Sequence, residues 1–314
     1  MTDLPAGSPA RPGPHRLRGS LVPLVTPFRD GAVDEPAFLE LIDWHIRSGS
    51  HGIVVGGTTG EPAALSPSER RRLIELAVKA AAGRIPVVAG TGTNNLQETL
   101  ELTRFAAEAG ADAVLVVVPY YVRPTQEGLL RYFEAVAAAS PLPVILYNIP
   151  GRAAQNLEVE TILRLRERCP NIVGVKEANK DFEHVVRLLA RCDPDFAVYS
   201  GVEMLCFPVL ALGGAGFVSA TGNVVPAELA RMYELAAAGR WEQARAIHQR
   251  LVPLNEALFL ETNPAPVKAA LALMGRIRPE VRLPLAPVQP STLRRLADVL
   301  RQLGLPVAEE AEAR

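Results

Sequence analysis

Paired cysteines, histidine pairs, long apolar runs and an excess of either charge are all missing from this 314-residue chain. Cys169, Cys192 and Cys206 are odd in number and scattered. That excludes a disulfide scaffold and fits reduced thiols in a cytoplasmic protein, packed rather than reactive. None of His15, His45, His51, His184 and His248 stands four residues from another, so a metal site lacks its usual ligand pair. No apolar run approaches the ~18 residues of a membrane span. Residues 1–18 mix proline, glycine and arginine without an apolar centre, as a disordered arm does and a signal peptide does not. A net charge of −1 gives no electrostatic footprint for nucleic acid. Lysine is scarce as well: Lys79, Lys176, Lys180 and Lys268 are the only ones among 33 basic residues.

From Gly19 onward, short apolar runs alternate with amphipathic stretches. The runs predict strands over Leu21–Thr26, Gly52–Val55, Pro86–Ala89, Ala113–Val117, Val144–Tyr147, Ile172–Lys176, Phe196–Ser200 and Gly216–Ser219. Ser66, Pro67 and Glu69 spell a capping box with a first-turn proline. A further helix opens at Asp181, with Phe182, Val185, Val186 and Leu189 expected on its buried stripe. The repeat of strand–helix units predicts an α/β fold, a closed (β/α)8 TIM barrel over residues 19–225. Helices over Ala227–Ala238, Trp241–Leu260, Pro266–Met274 and Ser291–Leu303 make a C-terminal helical region, 226–305, with the second kinked or broken at Pro253. A charged tail, 306–314, ends the chain, and no flexible linker separates barrel from appendage.

Asn171-Ile172-Val173-Gly174-Val175-Lys176-Glu177-Ala178 puts one lysine at the end of an apolar strand. Arginine carries the ordinary basic duty in this chain and cannot lose its proton, whereas a desolvated lysine can, and can then attack a ketone. Either Lys176 is such a nucleophile, or its stem packs while its charge meets a carboxylate such as Glu177.

Reacting groups of a barrel gather at the C-terminal ends of its strands, and three of those ends are polar here. Gly56-Gly57-Thr58-Thr59-Gly60-Glu61 is either an anion cradle of backbone amides and hydroxyls or a tight turn. It has no Lys-Ser/Thr ending, so a carboxylate suits it better than a nucleotide. Tyr120 and Tyr121 are core, rim or a subunit contact. Tyr147, one strand before Lys176, suits a proton carrier beside an imine-forming amine. Arg152 has the fork for a carboxylate, or makes a surface ion pair. The glycines of 212–216 and 220–223 either cradle phosphate or allow close packing.

At these residues the chain resembles the dihydrodipicolinate synthase family, pyruvate-dependent class I aldolases whose relatives include N-acetylneuraminate lyase. The marks are Leu24-Val25-Thr26-Pro27-Phe28, Gly57-Thr58-Thr59-Gly60-Glu61, Gly90-Thr91-Gly92, Pro119-Tyr120-Tyr121, Tyr147-Asn148-Ile149-Pro150, Gly174-Val175-Lys176-Glu177-Ala178 and Asn263-Pro264-Ala265-Pro266-Val267-Lys268. The resemblance implies a Schiff base between Lys176 and pyruvate, with no other cofactor and no metal. Tyr147 would be the proton shuttle, linked to Thr58 and to Tyr121 from a neighbouring subunit. Thr59 would hold the pyruvate carboxylate and Arg152 that of the second substrate, while Gly201 and Val218 line the pocket. It also implies a homotetramer built as a dimer of dimers, with small-molecule substrates and neither nucleic acid nor membrane as partner.

Arg152 after Pro150-Gly151 favours L-aspartate semialdehyde as that second substrate, giving 4-hydroxy-tetrahydrodipicolinate on the route to lysine and diaminopimelate. Ala153, Gln155, Val202-Glu203 and Val122 depart from the synthase pattern. They keep open an aldolase or dehydratase acting on a 2-keto-3-deoxy sugar acid or a 4-hydroxy-2-oxo acid. A non-catalytic keto-acid-binding protein is the remote alternative. Asn94, Glu98 and Tyr120 match a lysine feedback site of some relatives, but Pro62, Pro67 and Arg70 replace its polar partners. Lysine is therefore expected to inhibit weakly or not at all.

Overall fold

A computed structural model describes residues 17–308. Eight parallel strands close into a barrel: β1 (Gly19–Pro23), β2 (Gly52–Val55), β3 (Val87–Gly90), β4 (Ala113–Val117), β5 (Val144–Asn148), β6 (Ile172–Glu177), β7 (Ala197–Ser200) and β8 (Gly216–Val218). Each pairs with its sequence neighbours, and β8 closes on β1 through Gly19↔Gly216 and Leu21↔Val218. Around them lie α1 (Glu35–Arg47), α2 (Pro67–Ala81), α3 (Leu96–Glu108), α4 (Gln126–Ala139), α5 (Val159–Arg168), α6 (Phe182–Leu189) and α7 (Cys206–Ala211). A two-residue hairpin, Phe28–Arg29 with Ala32–Val33, precedes α1. Four more helices follow: α8 (Pro226–Ala237), α9 (Trp241–Ala257), α10 (Ala265–Leu273) and α11 (Pro290–Gln302).

Strand alternation sorts the apolar residues into two layers. Leu21, Val54, Val88, Leu115, Ile145, Tyr199 and Val218 fill the barrel interior. Val22, Ile53, Val55, Val87, Val114, Val116, Leu146 and Val175 pack outward under the helices. α2 starts at the expected capping box, with Ser66 Oγ accepting from Glu69 N–H and Glu69 Oε2 accepting from Ser66 N–H. Among the described residues, no helix is long and apolar enough to cross a membrane.

Several expectations need correction. Strand β1 ends at Pro23 instead of Thr26, because the next residues are held by loops: Val25 N–H donates to Asn223 Oδ1 and Thr26 Oγ1–H to the Gly60 carbonyl. Ser219 opens a 3-10 turn rather than ending β8. α9 runs unbroken through Pro253, with Leu251 and Leu254 buried on either side of it. Packing there outweighs one missing backbone bond. On α6 the buried residues are His184, Val185 and Leu188, and Val186 is exposed. His184 turns the helix because its ring nitrogen has a partner on β6. The packed chain begins earlier than Gly19. Leu17 is 1% exposed and joins the barrel-interior cluster, and the Tyr199 hydroxyl donates to its carbonyl. At the other end, Ala308 N–H donates to the Leu273 carbonyl. The rest of the expected arm (1–16) and tail (309–314) lies outside the described residues.

Candidate active site

Lys176 and Tyr147 are Cα partners across β5 and β6, both directed into the barrel. The lysine is 4% exposed, and its Nζ lies 4.1 Å from the centroid of the Tyr147 ring. Tyr147 Oη stands 3.3 Å from Thr58 Oγ1, and either hydroxyl can donate. Gly201 is tight against the lysine: a Cβ there would stand 2.9 Å from Lys176 Cε. Val218, on β8, belongs to the same interior cluster as Tyr147.

Glu177 is not the partner of Lys176. As the next residue on the strand it faces the opposite side, where it accepts from Asn148 Nδ2 and Asn179 N–H and pairs with His184. Among the described residues, no carboxylate lies within ion-pair distance of Lys176. A second buried lysine, Lys268, is differently placed. Its Nζ is 2.7 Å from Glu61 Oε1 with both side chains sealed from solvent, and it lies 4.1 Å from the Phe28 ring centroid. Burial lowers its affinity for a proton, and the facing Glu61 opposes that shift. Lys79 and Lys180 are exposed. Lys176 is thus the one lysine of the four that is buried at the barrel mouth without a carboxylate beside it.

A cavity of about 610 Å³ opens at this end, lined among others by Thr58, Tyr121, Tyr147, Arg152, Asn263 and Arg282. Tyr147 forms part of its wall; Lys176, Thr59, Gly201 and Val218 do not line it, and the lysine amine sits against the Tyr147 ring. Tyr121 has φ +74° and is 87% exposed, so its ring leaves the body of its own chain. Arg152, on a single helical turn after β5 (Pro150–Ala153), donates from Nη2 to the Asn263 carbonyl at 3.0 Å.

Asn263 was not singled out from the sequence as a site residue, although it begins one of the recurrent motifs. It ties two expected site residues together. Besides receiving Arg152, its Nδ2 donates to Thr59 Oγ1 at 3.1 Å. A hydroxyl that accepts in this way keeps its own proton for another acceptor, as a carboxylate cradle requires. The Glu61–Lys268 pair was also missed. Glu61 Oε2 further accepts Arg282 N–H at 3.0 Å, so the glycine-rich loop after β2 is anchored to the C-terminal helices. The only trace in the sequence is that two motifs far apart carry opposite charges. Glu203 is buried beside β8 and accepts from Ala220 N–H at 2.9 Å; burial pushes its carboxyl up in pKa, and the charge of Lys176 works against that.

Gly214, Gly216 and Gly222 near β8 serve close packing, whereas Gly213 has φ +92° and open space where a Cβ would stand. A Cβ at Gly222 would stand 2.9 Å from Val22 Cγ2, and the Asn223 amide is used by Pro23, Ala220 and Val25. Among the described residues, no group of three or more His, Cys, Asp or Glu is arranged to hold a metal ion.

Comparison with known proteins relates the chain, in sequence and in fold, to the same family. Residues 16–303 fit the profile of the Dihydrodipicolinate synthetase family. The 4-hydroxy-tetrahydrodipicolinate synthase of Nitratidesulfovibrio vulgaris is 50% identical, over 92% of this chain and 99% of the relative. The enzyme of that name from Thermus thermophilus is 48% identical, over 95% and 99%. The crystal structure of dihydrodipicolinate synthase from Aquifex aeolicus superposes with a TM-score of 0.92 at 43% identity, covering 93% of this chain and all of that one. With nearly its whole length matched in sequence and in fold, the chain belongs to the dihydrodipicolinate synthetase family.

Proposed function

We propose that the protein condenses pyruvate with L-aspartate semialdehyde to 4-hydroxy-tetrahydrodipicolinate, through a Schiff base on Lys176. The observation that carries this reading is a buried lysine without a carboxylate partner, packed against a tyrosine whose hydroxyl is 3.3 Å from Thr58. Identity near 50% to relatives bearing the synthase name supports the choice of reaction.

The Lys176 amine adds to C2 of pyruvate and water leaves, giving a protonated imine. The imine withdraws electrons from the methyl group, so loss of a methyl proton yields a neutral enamine rather than a carbanion. Tyr147 carries protons in these steps, with Thr58 on one side and Tyr121 of a neighbouring subunit on the other. The enamine carbon attacks the aldehyde. The amine of the second substrate then attacks C2, which closes the ring and releases Lys176. Thr59, oriented by Asn263, receives the pyruvate carboxylate, and the free part of the Arg152 fork receives that of the semialdehyde. On this reading the chemistry needs no added cofactor. The protein works in the cytoplasm as a homotetramer of two tight dimers, which gives the exposed Tyr121 a partner to enter.

A coupled assay tests the assignment by offering aspartate semialdehyde beside a panel of 2-keto-3-deoxy acids, each with wild type and Arg152→Ala. Ring product with wild type and a raised KM for the semialdehyde in the variant are expected. Brisk cleavage of a panel member with no ring product would move the assignment to another pyruvate aldolase.

A further inference from the structure

Tyr147 and Lys176 are each followed by a residue on the opposite face of its strand, and those two followers are tied together. Asn148 Nδ2 stands 3.0 Å from Oε1 and 3.1 Å from Oε2 of Glu177. Asn148 Oδ1 accepts from Leu157 N–H at 3.0 Å, which turns the NH2 end of the amide toward the carboxylate. Asn156 Oδ1 takes part as a further acceptor of Asn148 at 2.8 Å. Glu177 also accepts from Asn179 N–H at 2.9 Å and meets His184 Nε2 at 3.1 Å. Its side chain is wholly withdrawn from solvent, and a carboxylate there depends on these donors.

The position of this cluster matters because of what lies upstream. Val144 pairs with Ile172, but Ile145 pairs with Gly174, leaving Val173 as an extra residue in β6. Past that bulge, the ladder before it no longer dictates which residue of β6 meets Tyr147. Even a small shift of the strand end, far short of a full residue, would tilt Lys176 away from the Tyr147 hydroxyl while leaving its amine inside the barrel. The Asn148–Glu177 contact bridges the two strands one step beyond the reacting pair, where Asn148↔Glu177 follows Tyr147↔Lys176. Through His184 in the first turn of α6, which Asp181 caps, the carboxylate also ties the strand end to the next helix.

We propose that Glu177, gripped by Asn148 and His184, is a positioning residue that holds Lys176 in register beside Tyr147, so that imine and phenol stay within reach for proton transfer. The proposal rests on the imine-forming reading of Lys176. Glu177 itself touches no substrate. Its loss leaves the amine able to condense with pyruvate but degrades the alignment on which the later proton steps depend, and misplacement by about 1 Å can cost up to ~10²-fold in rate.

The test measures two reactions of the full chain with pyruvate alone: borohydride trapping of the imine, and exchange of the methyl protons in D2O followed by NMR. For Glu177→Gln, trapping stays close to wild type while the exchange rate at saturating pyruvate falls about 10- to 100-fold, with little change in the pyruvate concentration that half-saturates exchange. Asn148→Asp sets two carboxylates face to face and falls at least as far. The double variant Asn148→Asp with Glu177→Gln restores an amide–carboxylate pair with the roles exchanged and recovers most of the loss. His184→Gln gives the same comparison if Glu177→Gln does not fold, with a smaller loss in the same direction. Wild-type exchange in these variants overturns the proposal. So does a joint fall of trapping, exchange and melting temperature without recovery in the double variant. A wild type that traps pyruvate beside unaffected variants sinks this proposal alone, whereas a wild type that traps none sinks the imine reading with it.

Discussion

Gly201 leaves room for Lys176. Its α-carbon approaches the lysine stem so closely that an added methyl would sit 2.9 Å from Cε and 2.9 Å from Ala178 Cβ. Gly201→Ala is therefore expected to cost about 1–3 kcal/mol, as overpacking does, and to displace the lysine. Urea titration gives the stability change, and borohydride trapping gives the loss of imine. Trapping at the wild-type level would show that the lysine accommodates the methyl without moving its amine.

Tyr147→Phe removes the hydroxyl that Thr58 meets and should slow turnover by roughly 10²–10⁴-fold, the usual worth of a placed proton carrier. Thr58→Val leaves the phenol in place without its partner, so a smaller loss is expected. Steady-state kinetics on both variants would check the order, and a Tyr147→Phe enzyme near the wild-type rate would remove that residue from the mechanism.

The two buried lysines should part cleanly under substitution. Lys176→Met abolishes the pyruvate adduct with a smaller change in fold stability, since no ion pair is broken and only the longer-range charge acting on the buried Glu203 is lost. Lys268→Met takes from the buried Glu61 its ion-pair partner and leaves it only the N–H and the more distant charge of Arg282, a loss of up to about 3–5 kcal/mol, which adding Glu61→Gln should partly restore. Peptide mapping of the reduced adduct and urea unfolding separate the two effects. An adduct mapped to Lys268 would reverse the assignment.

His184 supplies the pH signature. Burial alone would lower its pKa, but the hydrogen bond and charge of Glu177, with the charges of Glu158 and Asp181, more than compensate and raise it. A raised histidine pKa means that the folded state binds the proton more tightly. The stabilisation is therefore complete below the unfolded value, about 6.5, and fades as pH rises through the higher folded value. Melting curves from pH 6 to about 9 should show wild type losing an advantage over His184→Gln as the pH rises. A difference that stays constant across that range would mean the ring is neutral in the native state.

Feedback by lysine should be absent or weak. The Arg70 guanidinium donates from Nη2 to the Gly90 carbonyl at 3.2 Å, lies in the field of Tyr120 and Glu98, and lines the same cavity. A second cation brought there meets a resident one. Initial rates with millimolar lysine should match those without it, and strong inhibition below a millimolar would contradict the expectation.

Much of the layout of the candidate site could be seen in the chain because strand order does the assembling. Once the apolar runs are counted, Tyr147 and Lys176 fall on neighbouring strand ends, and Thr58 and Arg152 on the loops above them. What stayed hidden depends on partners far away in sequence or on the back of a strand. Lys268 finds Glu61 across the fold. Asn263 reaches Thr59 and Arg152 from the C-terminal region. On α6, apolar periodicity pointed to Val186, whereas a histidine with a buried carboxylate to meet took the inner face. Pro253 does not break its helix, since composition cannot report how firmly neighbouring helices hold a turn.

The sealed Glu61–Lys268 bridge has a consequence for anyone recombining this gene with a homologue. A crossover between those positions inherits one half from each parent, and a parent with a neutral residue at either site bequeaths a stranded ion. Shuffled libraries should therefore be sparse in such hybrids among their functional survivors, even when every segment taken singly comes from a working enzyme.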